Sequence, residues 1–279
     1  MTNIDAAHDK ITMSNGKTFT YKALVLAPGF ESSCQNIKGL DEMSKTHEKE
    51  GVFIHMLDNK ERTSRNFYHG FHHTDGDLMC YAPKFPYKGE GSTFYALYYE
   101  RMMMTDKMAH RTKAGARVQF WTPNKEIFEF PYANEVALDE CHKRGVDVMF
   151  GWEMIEVKYN EVGQKIAIMK NVDSGEVIEK DFMTLSMTPA SKTHDFLAQS
   201  GLTDSQGLID VNKYTLQHNK YDNIFAFGDA INFKTTRTHS GALAQNPIIK
   251  NNIIRFLEGK ELNGVYDGYS FIPMYLGQN

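Results

Sequence analysis

Three rhythms of apolar and polar positions run along this chain. Short alternating runs frame Ser14-Asn15-Gly16: Lys10–Met13 precedes it and Thr18–Tyr21 follows, a hairpin pattern with Asn-Gly as the turn. Continuous apolar runs follow: "ALVLAPG" from Ala23 to Gly29, "DLMCYAP" from Asp77 to Pro83, "ARVQFWTP" ending at Pro123, and Ile224–Phe227. Such runs are the mark of strands buried on both faces. Helical spacing predicts helices over Thr93–Thr112, over Tyr132–Lys143 with Gly145 as its stop, and over Thr238–Leu257 with the Thr238 hydroxyl as its cap. A long stretch from about Asp41 to Phe71 reads as helical with turns. Between Val146 and Thr188, alternating segments with Asp173-Ser174-Gly175 as a turn predict a β-meander that returns to the main sheet.

Strands alternating with helices, plus an antiparallel meander, give an α/β architecture. The 279 residues suffice for one large or two medium domains. The expected division is 1–45 with 183–279 as one domain and 46–182 as a second. A dinucleotide fingerprint would read strand, G-x-G-x-x-G, helix. The nearest candidate, "GEGSTF", lacks its third glycine and follows a Pro-rich loop. "DLMCYAP" runs into Pro and Lys rather than a glycine-rich helix start, so no pyrophosphate cradle and no NADH or NADPH binding are expected there.

Composition narrows the classes. Net charge is -4, which leaves no footprint for nucleic acid. No apolar run approaches the ~18 residues of a membrane span, and no targeting segment is expected within these residues. Cys34, Cys80 and Cys141 are scattered and odd in number, which suggests neither a disulfide framework nor a zinc site. His72-His73 lacks ligand spacing, and the methionines of "RMMMTDKM" read as helix packing rather than a metal site. No metal is expected.

Gly228-Asp229 is the most suggestive pair. Glycine ends the Ile224–Phe227 run and lets backbone approach a ligand; the aspartate then stands at the carboxyl end of a parallel strand, where open α/β sheets bind ligands. Its carboxylate can accept hydrogen bonds from sugar or polyol hydroxyls. An ordinary strand-turn aspartate that caps the next helix is the other reading.

"ALVLAPGF" and "T-x8-IFAFGDA" resemble the strand-to-glycine element and the second flavin motif of the two-domain flavoprotein disulfide reductases. "TPASKTHDFLAQSGLTDSQGLIDVNKYTLQHNKYDNIFAFGDAINFKTTRTHSGALAQNPII" and "YDGYSFIPMYLGQN" resemble the mitochondrial type of sulfide:quinone oxidoreductase. The resemblance implies a two-domain FAD/NAD(P)-binding Rossmann-like fold with a β-meander. It also implies FAD, sulfide and quinone as substrates, and the matrix face of the mitochondrial inner membrane. By resemblance Asp229, after Gly228, serves the flavin ribityl chain, and Ala27, Pro28 and Gly29 close over the FAD. Pro189 lies in a loop near the isoalloxazine ring, with Asp195 after it. Arg237 stands where the family usually has lysine, and precedes Thr238 at a helix end that faces the flavin pyrimidine edge. That positive helix end would stabilise a reduced flavin.

The departures matter as much. The family's two redox cysteines fall at Gly89 and Ala230, and neither a hydrogen nor a methyl group can hold a persulfide. Cys80 is either a substitute thiol or a structural cysteine. The family's amino-terminal FAD fingerprint and its terminal amphipathic helices do not fall within these residues, so an incomplete first domain is expected. Three readings stand: a flavoprotein oxidoreductase unable to oxidise sulfide, a redox-silent structural or interaction subunit of a mitochondrial membrane assembly, or a fragment without retained function.

Overall fold

The computed structural model describes residues 2–43, 51–54, 77–87, 117–143, 145–235 and 237–271. The chain divides into two compact units: Met1–Glu31 with Ser191–Ile272, and one centred on Ser32–Ala190. The crossings fall at Glu31 and Ala190, against the expected 45 and 182. Ser32–Met43 accounts for the first difference: Cys34, Ile37, Leu40 and Met43 all enter the core of the second unit.

In the first unit, β1 (Asn3–Asp5), β2 (Lys10–Thr12) and β3 (Thr18–Thr20) form an antiparallel sheet in chain order. The expected hairpin is β2–β3, with Gly16 at φ 79°; β1 is a third strand that the pattern did not signal. β4 (Leu24–Leu26) and β15 (Ile224–Ala226) pair in parallel, with Val25 opposite Phe225. On one face of this pair, Leu26, Ile224 and Ala226 pack with Leu197, Ile209 and Ile231. On the other, Phe225 packs with Leu216, Ile249 and Tyr266. Ile249 belongs to the helix His239–Leu257, which starts one residue past its Thr238 cap.

The second unit is built on a five-stranded parallel sheet, in the order β6 (Val52–Ile54), β13 (Thr184–Met187), β7 (Leu78–Tyr81), β8 (Val118–Thr122), β9 (Asp147–Phe150). β6, β7, β8 and β13 are buried at every position, as strands covered on both faces must be. The helical expectation for Asp41–Phe71 is corrected at Val52–Ile54, where three consecutive apolar residues pair with β13 as a strand. Tertiary pairing overrode a weak local pattern there. The rest of that stretch beyond Met43, and Thr93–Thr112, lie outside the described residues. The meander is β10 (Trp152–Tyr159), β11 (Lys165–Asn171) and β12 (Val177–Asp181), after which β13 rejoins the parallel sheet. Helix α1 (Pro131–Lys143) follows β8 and ends two residues before Gly145, which is at φ 63°. β5 (Glu31–Ser33) and β14 (Ala190–Lys192) lie where the chain passes from one unit to the other, and α2 (Asp195–Gln199) and α3 (His239–Leu257) belong to the first unit. Among the described residues no helix is long and apolar enough to cross a membrane.

Candidate functional site

The carboxyl ends of β4 and β15 lie side by side, since the two strands run in parallel register. Beyond β4 come Ala27, exposed, then Pro28 and Gly29, half-buried, with Gly29 at φ 70°. Beyond β15 the Phe227 N–H donates to the Leu26 carbonyl at 3.1 Å. Gly228 then turns the chain at φ 85°, a conformation costly for any residue with a Cβ, and nothing lies within 4 Å of where that Cβ would be. Asp229 is half-buried at this strand end. The sequence-predicted Ala27, Pro28, Gly29, Gly228, Asp229, Arg237 and Thr238 thus all belong to the first unit, grouped around two adjacent strand ends and one helix start.

Arg237 is only 6% exposed and sits at φ 47°. Its guanidinium donates to the backbone carbonyls of Asp229 and, at 3.4 Å, Ile231. It also lies over the Phe30 ring at 5.1 Å. The cation therefore braces the turn that follows Gly228. Thr238 accepts from the Gly241 N–H at 3.3 Å and so caps α3. The same hydroxyl donates to the Phe271 carbonyl.

Two positioning residues escaped the sequence reading. Gln245, 1% exposed, accepts the Gly228 N–H on its Oε1 at 2.8 Å and ties the glycine turn to α3. Its signal was there: Gly241, Gln245, Ile249 and Asn252 make a buried stripe at helical spacing, and a glutamine on such a stripe needs a partner. His194 places Nε2 3.2 Å from the Pro28 carbonyl and Nδ1 2.8 Å from Glu31, fixing the Ala27–Gly29 loop. Asp195, next in sequence, turns to Lys192 at 3.0 Å on the surface. Pro189 is buried in the other unit just past β13, and Gly89 lies outside the described residues.

Ala230 is fully buried within the Leu26–Ile209–Ile231 cluster, and its carbonyl accepts from Ile209 N–H at 2.8 Å. All three cysteines are buried as well. Cys80 is 0% exposed in the middle of β7, flanked in the sheet by Ser186 and Phe120. Burial, with Asp41 near by, pushes the Cys34 thiol up to about 11; burial, with Glu140, pushes Cys141 up to about 12. A thiol must be a thiolate and accessible to act as a nucleophile. No cysteine of this chain meets both conditions.

The open glycine backbone and the carboxylate at the β15 end fit the sugar-like chain of a flavin. The cation expected at the ring edge, Arg237, has its guanidinium on the backbone carbonyls of Asp229 and Ile231. No group of His, Cys, Asp or Glu able to hold a metal occurs among the described residues. A cavity of about 430 Å³ in the second unit is lined by Arg117, Gln119, Trp121, Asp147, Met149 and Lys180, among others. Its lining alternates along β8 (Gln119, Trp121) and β9 (Asp147, Met149), so it runs along one face of the sheet rather than at the strand ends that bind ligands in open α/β sheets.

No family model matches the chain. The mitochondrial sulfide:quinone oxidoreductase of Schizosaccharomyces pombe is 28% identical over 96% of this chain and 57% of its own length. A chain in the structure of the Tetrahymena thermophila mitochondrial ATP synthase is 29% identical, with a TM-score of 0.88 over 99% of this chain and 66% of that one. The sulfide:quinone oxidoreductase of Aquifex aeolicus has a TM-score of 0.69 at 15% identity over 92% of this chain and 59% of that one, a likeness of fold. The chain spans less than two thirds of the length of each. It is similar across nearly all of its own length to mitochondrial sulfide:quinone oxidoreductases, and is built on the fold of the flavoprotein disulfide reductases.

Proposed function

We propose that this chain is a redox-silent relative of the sulfide:quinone oxidoreductases that serves as a structural, protein-binding subunit of a mitochondrial inner-membrane assembly. The observation that carries the reading is the lack of an accessible thiol. The position after Gly228-Asp229 is a buried alanine, and all three cysteines are sealed in packed surroundings. Sulfide oxidation requires a thiolate that captures sulfur and a path for two electrons to an acceptor; without the first, no persulfide forms. Likeness to a chain of a mitochondrial ATP synthase supports the assembly half of the reading.

FAD enters this reading as a structural ligand at most. When bound it would supply electron transfer, while Gly228 and Asp229 would hold its sugar-like chain. The test has two arms. Purified chain is assayed for sulfide-dependent reduction of a soluble quinone, with the expected rate equal to that without protein. Mitochondria of the native source are solubilised in mild detergent and resolved on a native gel, where the chain is expected to migrate with a large complex. Sulfide-dependent turnover overturns the redox-silent half. Migration only as the free chain overturns the assembly half.

A further inference from the structure

Helix α3 is apolar on two opposite sides. Its inner side carries Ile249 into the cluster with Phe225, Leu216 and Tyr266. Its outer side carries Leu243, Ile254 and Leu257, which are 56%, 47% and 53% exposed. Pro247 and Lys250 are exposed on the same line. Positions 243, 247, 250, 254 and 257 alternate steps of four and three, the heptad spacing of a helix–helix seam. At 1.5 Å per residue the stripe runs about 21 Å. Phe271, 53% exposed, prolongs it at the amino end, where its carbonyl accepts from Thr238 and Ser240. A helix that is apolar on opposite faces is one packed between two layers. Only the inner layer is supplied by the described residues.

The charge pattern selects the occupant. Lys250 stands at the midpoint of the stripe, and no carboxylate pairs with it among the described residues. A second copy of this chain would form a two-fold, self-complementary contact. Centred on the stripe, parallel or antiparallel, that contact sets Lys250 against Lys250 of the other copy, and like charges at an interface core are costly. Pro247 has no N–H, so the Leu243 carbonyl has no i+4 donor within the helix. It stands at one end of the stripe as an acceptor for an incoming group.

We infer that the outer face of α3 is the docking seam for an amphipathic helix of a different subunit, apolar at heptad spacing, with one Asp or Glu placed to meet Lys250. The inference deepens the assembly reading and rests on it for the source of the partner. The probe is a photoreactive benzophenone side chain replacing Ile254, expressed in the native organism. Tyr132, exposed in the other unit, is the control site.

The expected result is a cross-link from position 254, absent from 132, to a helix-forming segment of another protein with an acidic residue within one turn of the linked site. The paired substitutions Leu243→Glu and Ile254→Glu should cut recovery of that partner at least ~10-fold, since two apolar anchors are lost, one on either side of Lys250. Lys250→Glu should cut it ~5-fold, and Lys250→Arg should retain it. Cross-links only to lipid, only to a second copy, or at equal yield from both sites overturn the inference. So does an acidic-free partner segment. Comigration with a large complex but no helix cross-link leaves the assembly reading standing and removes this seam. A helix cross-link from a chain that migrates outside any mitochondrial complex does the reverse.

Discussion

The end of β15 and the middle of β7 make opposite compromises. At the β15 end the backbone is open: Gly228 turns at φ 85° with empty space around it, and Asp229 is within reach of solvent. In β7 the packing is closed: Leu78, Met79, Cys80 and Tyr81 are each at most 3% exposed. The accessible region has no thiol, and the region with a thiol has no access. Nucleophilic sulfur chemistry needs both at one place, and this separation is what the proposed redox-silent reading rests on.

The strongest way to break that contrast is to count reactive thiols. Native chain treated with a disulfide reagent at pH 8 should release fewer than one thiol equivalent, against three after unfolding in guanidinium. Reaction of the folded chain should be at least ~100-fold slower, because exposure requires local or global opening. Ala230→Cys should leave the native count unchanged, since Ala230 packs among Leu26, Ile209 and Ile231. Its added sulfur should cost about 1–3 kcal/mol of stability through overpacking. A fast-reacting thiol in the natural chain would end the redox-silent reading, and one gained only in Ala230→Cys would mean that position 230 is not sealed.

Two glycines sharpen the same comparison. Gly39 and Gly228 have similar backbone angles, φ 79° and 85°. Around Gly228 there is room. At Gly39 an added Cβ would collide with the Val157 carbonyl oxygen, because residues 38–39 are laid against β10 by bonds from Lys38 N to Ile155 O and from Val157 N to Lys38 O. Gly228→Ala should cost about 1–2 kcal/mol, the strain of a left-handed alanine alone. Gly39→Ala should cost ~3 kcal/mol or more, since the backbone clash adds to that strain. Chemical denaturation of both variants decides it; equal losses would mean that the surroundings do not matter.

Legibility from sequence divided along the same line. Buried parallel strands announced themselves as apolar runs, and the Thr238 cap and Asn15-Gly16 turn are local signals that chain neighbours cannot easily override. Val52–Ile54 was misread, because three apolar residues fit either a helix or a strand and only pairing with β13 settles which. At the candidate site, Gly228 and Asp229 were visible as a strand ending in a turn. The direction of the Arg237 guanidinium was not. A charge before a helix reads as a ligand contact, yet here φ 47° turns the side chain inward, onto Phe30 and two carbonyls. Backbone sign at a non-glycine residue leaves no trace in composition or spacing. His194 was hidden differently, since its partners Pro28 and Glu31 are remote in sequence.

The smallest expected effect concerns pH and the first unit. His218 is 4% exposed. Its Nδ1 accepts the Lys220 N–H at 3.0 Å, which leaves Nε2 to donate to the Leu202 carbonyl at 3.1 Å, the arrangement of a neutral ring. Burial holds its pKa below the ordinary 6.5, against the opposing pull of the Leu202 carbonyl and the Asp210 charge. The unfolded chain therefore binds a proton near 6.5 that the folded chain takes up only at lower pH. Stability follows the difference in bound protons, so it is fully present above 6.5 and falls as pH drops below that value. The loss is complete once pH passes below the folded pKa. Thermal unfolding at pH 7.5 and 5.5 should show a drop for the natural chain that exceeds the drop for His218→Gln by ~2 °C or more. The carboxylates titrate alike in both proteins, so the difference isolates this ring. Equal drops would mean that His218 charges as readily in the fold as out of it, and that the bond to Leu202 is not held by a neutral imidazole.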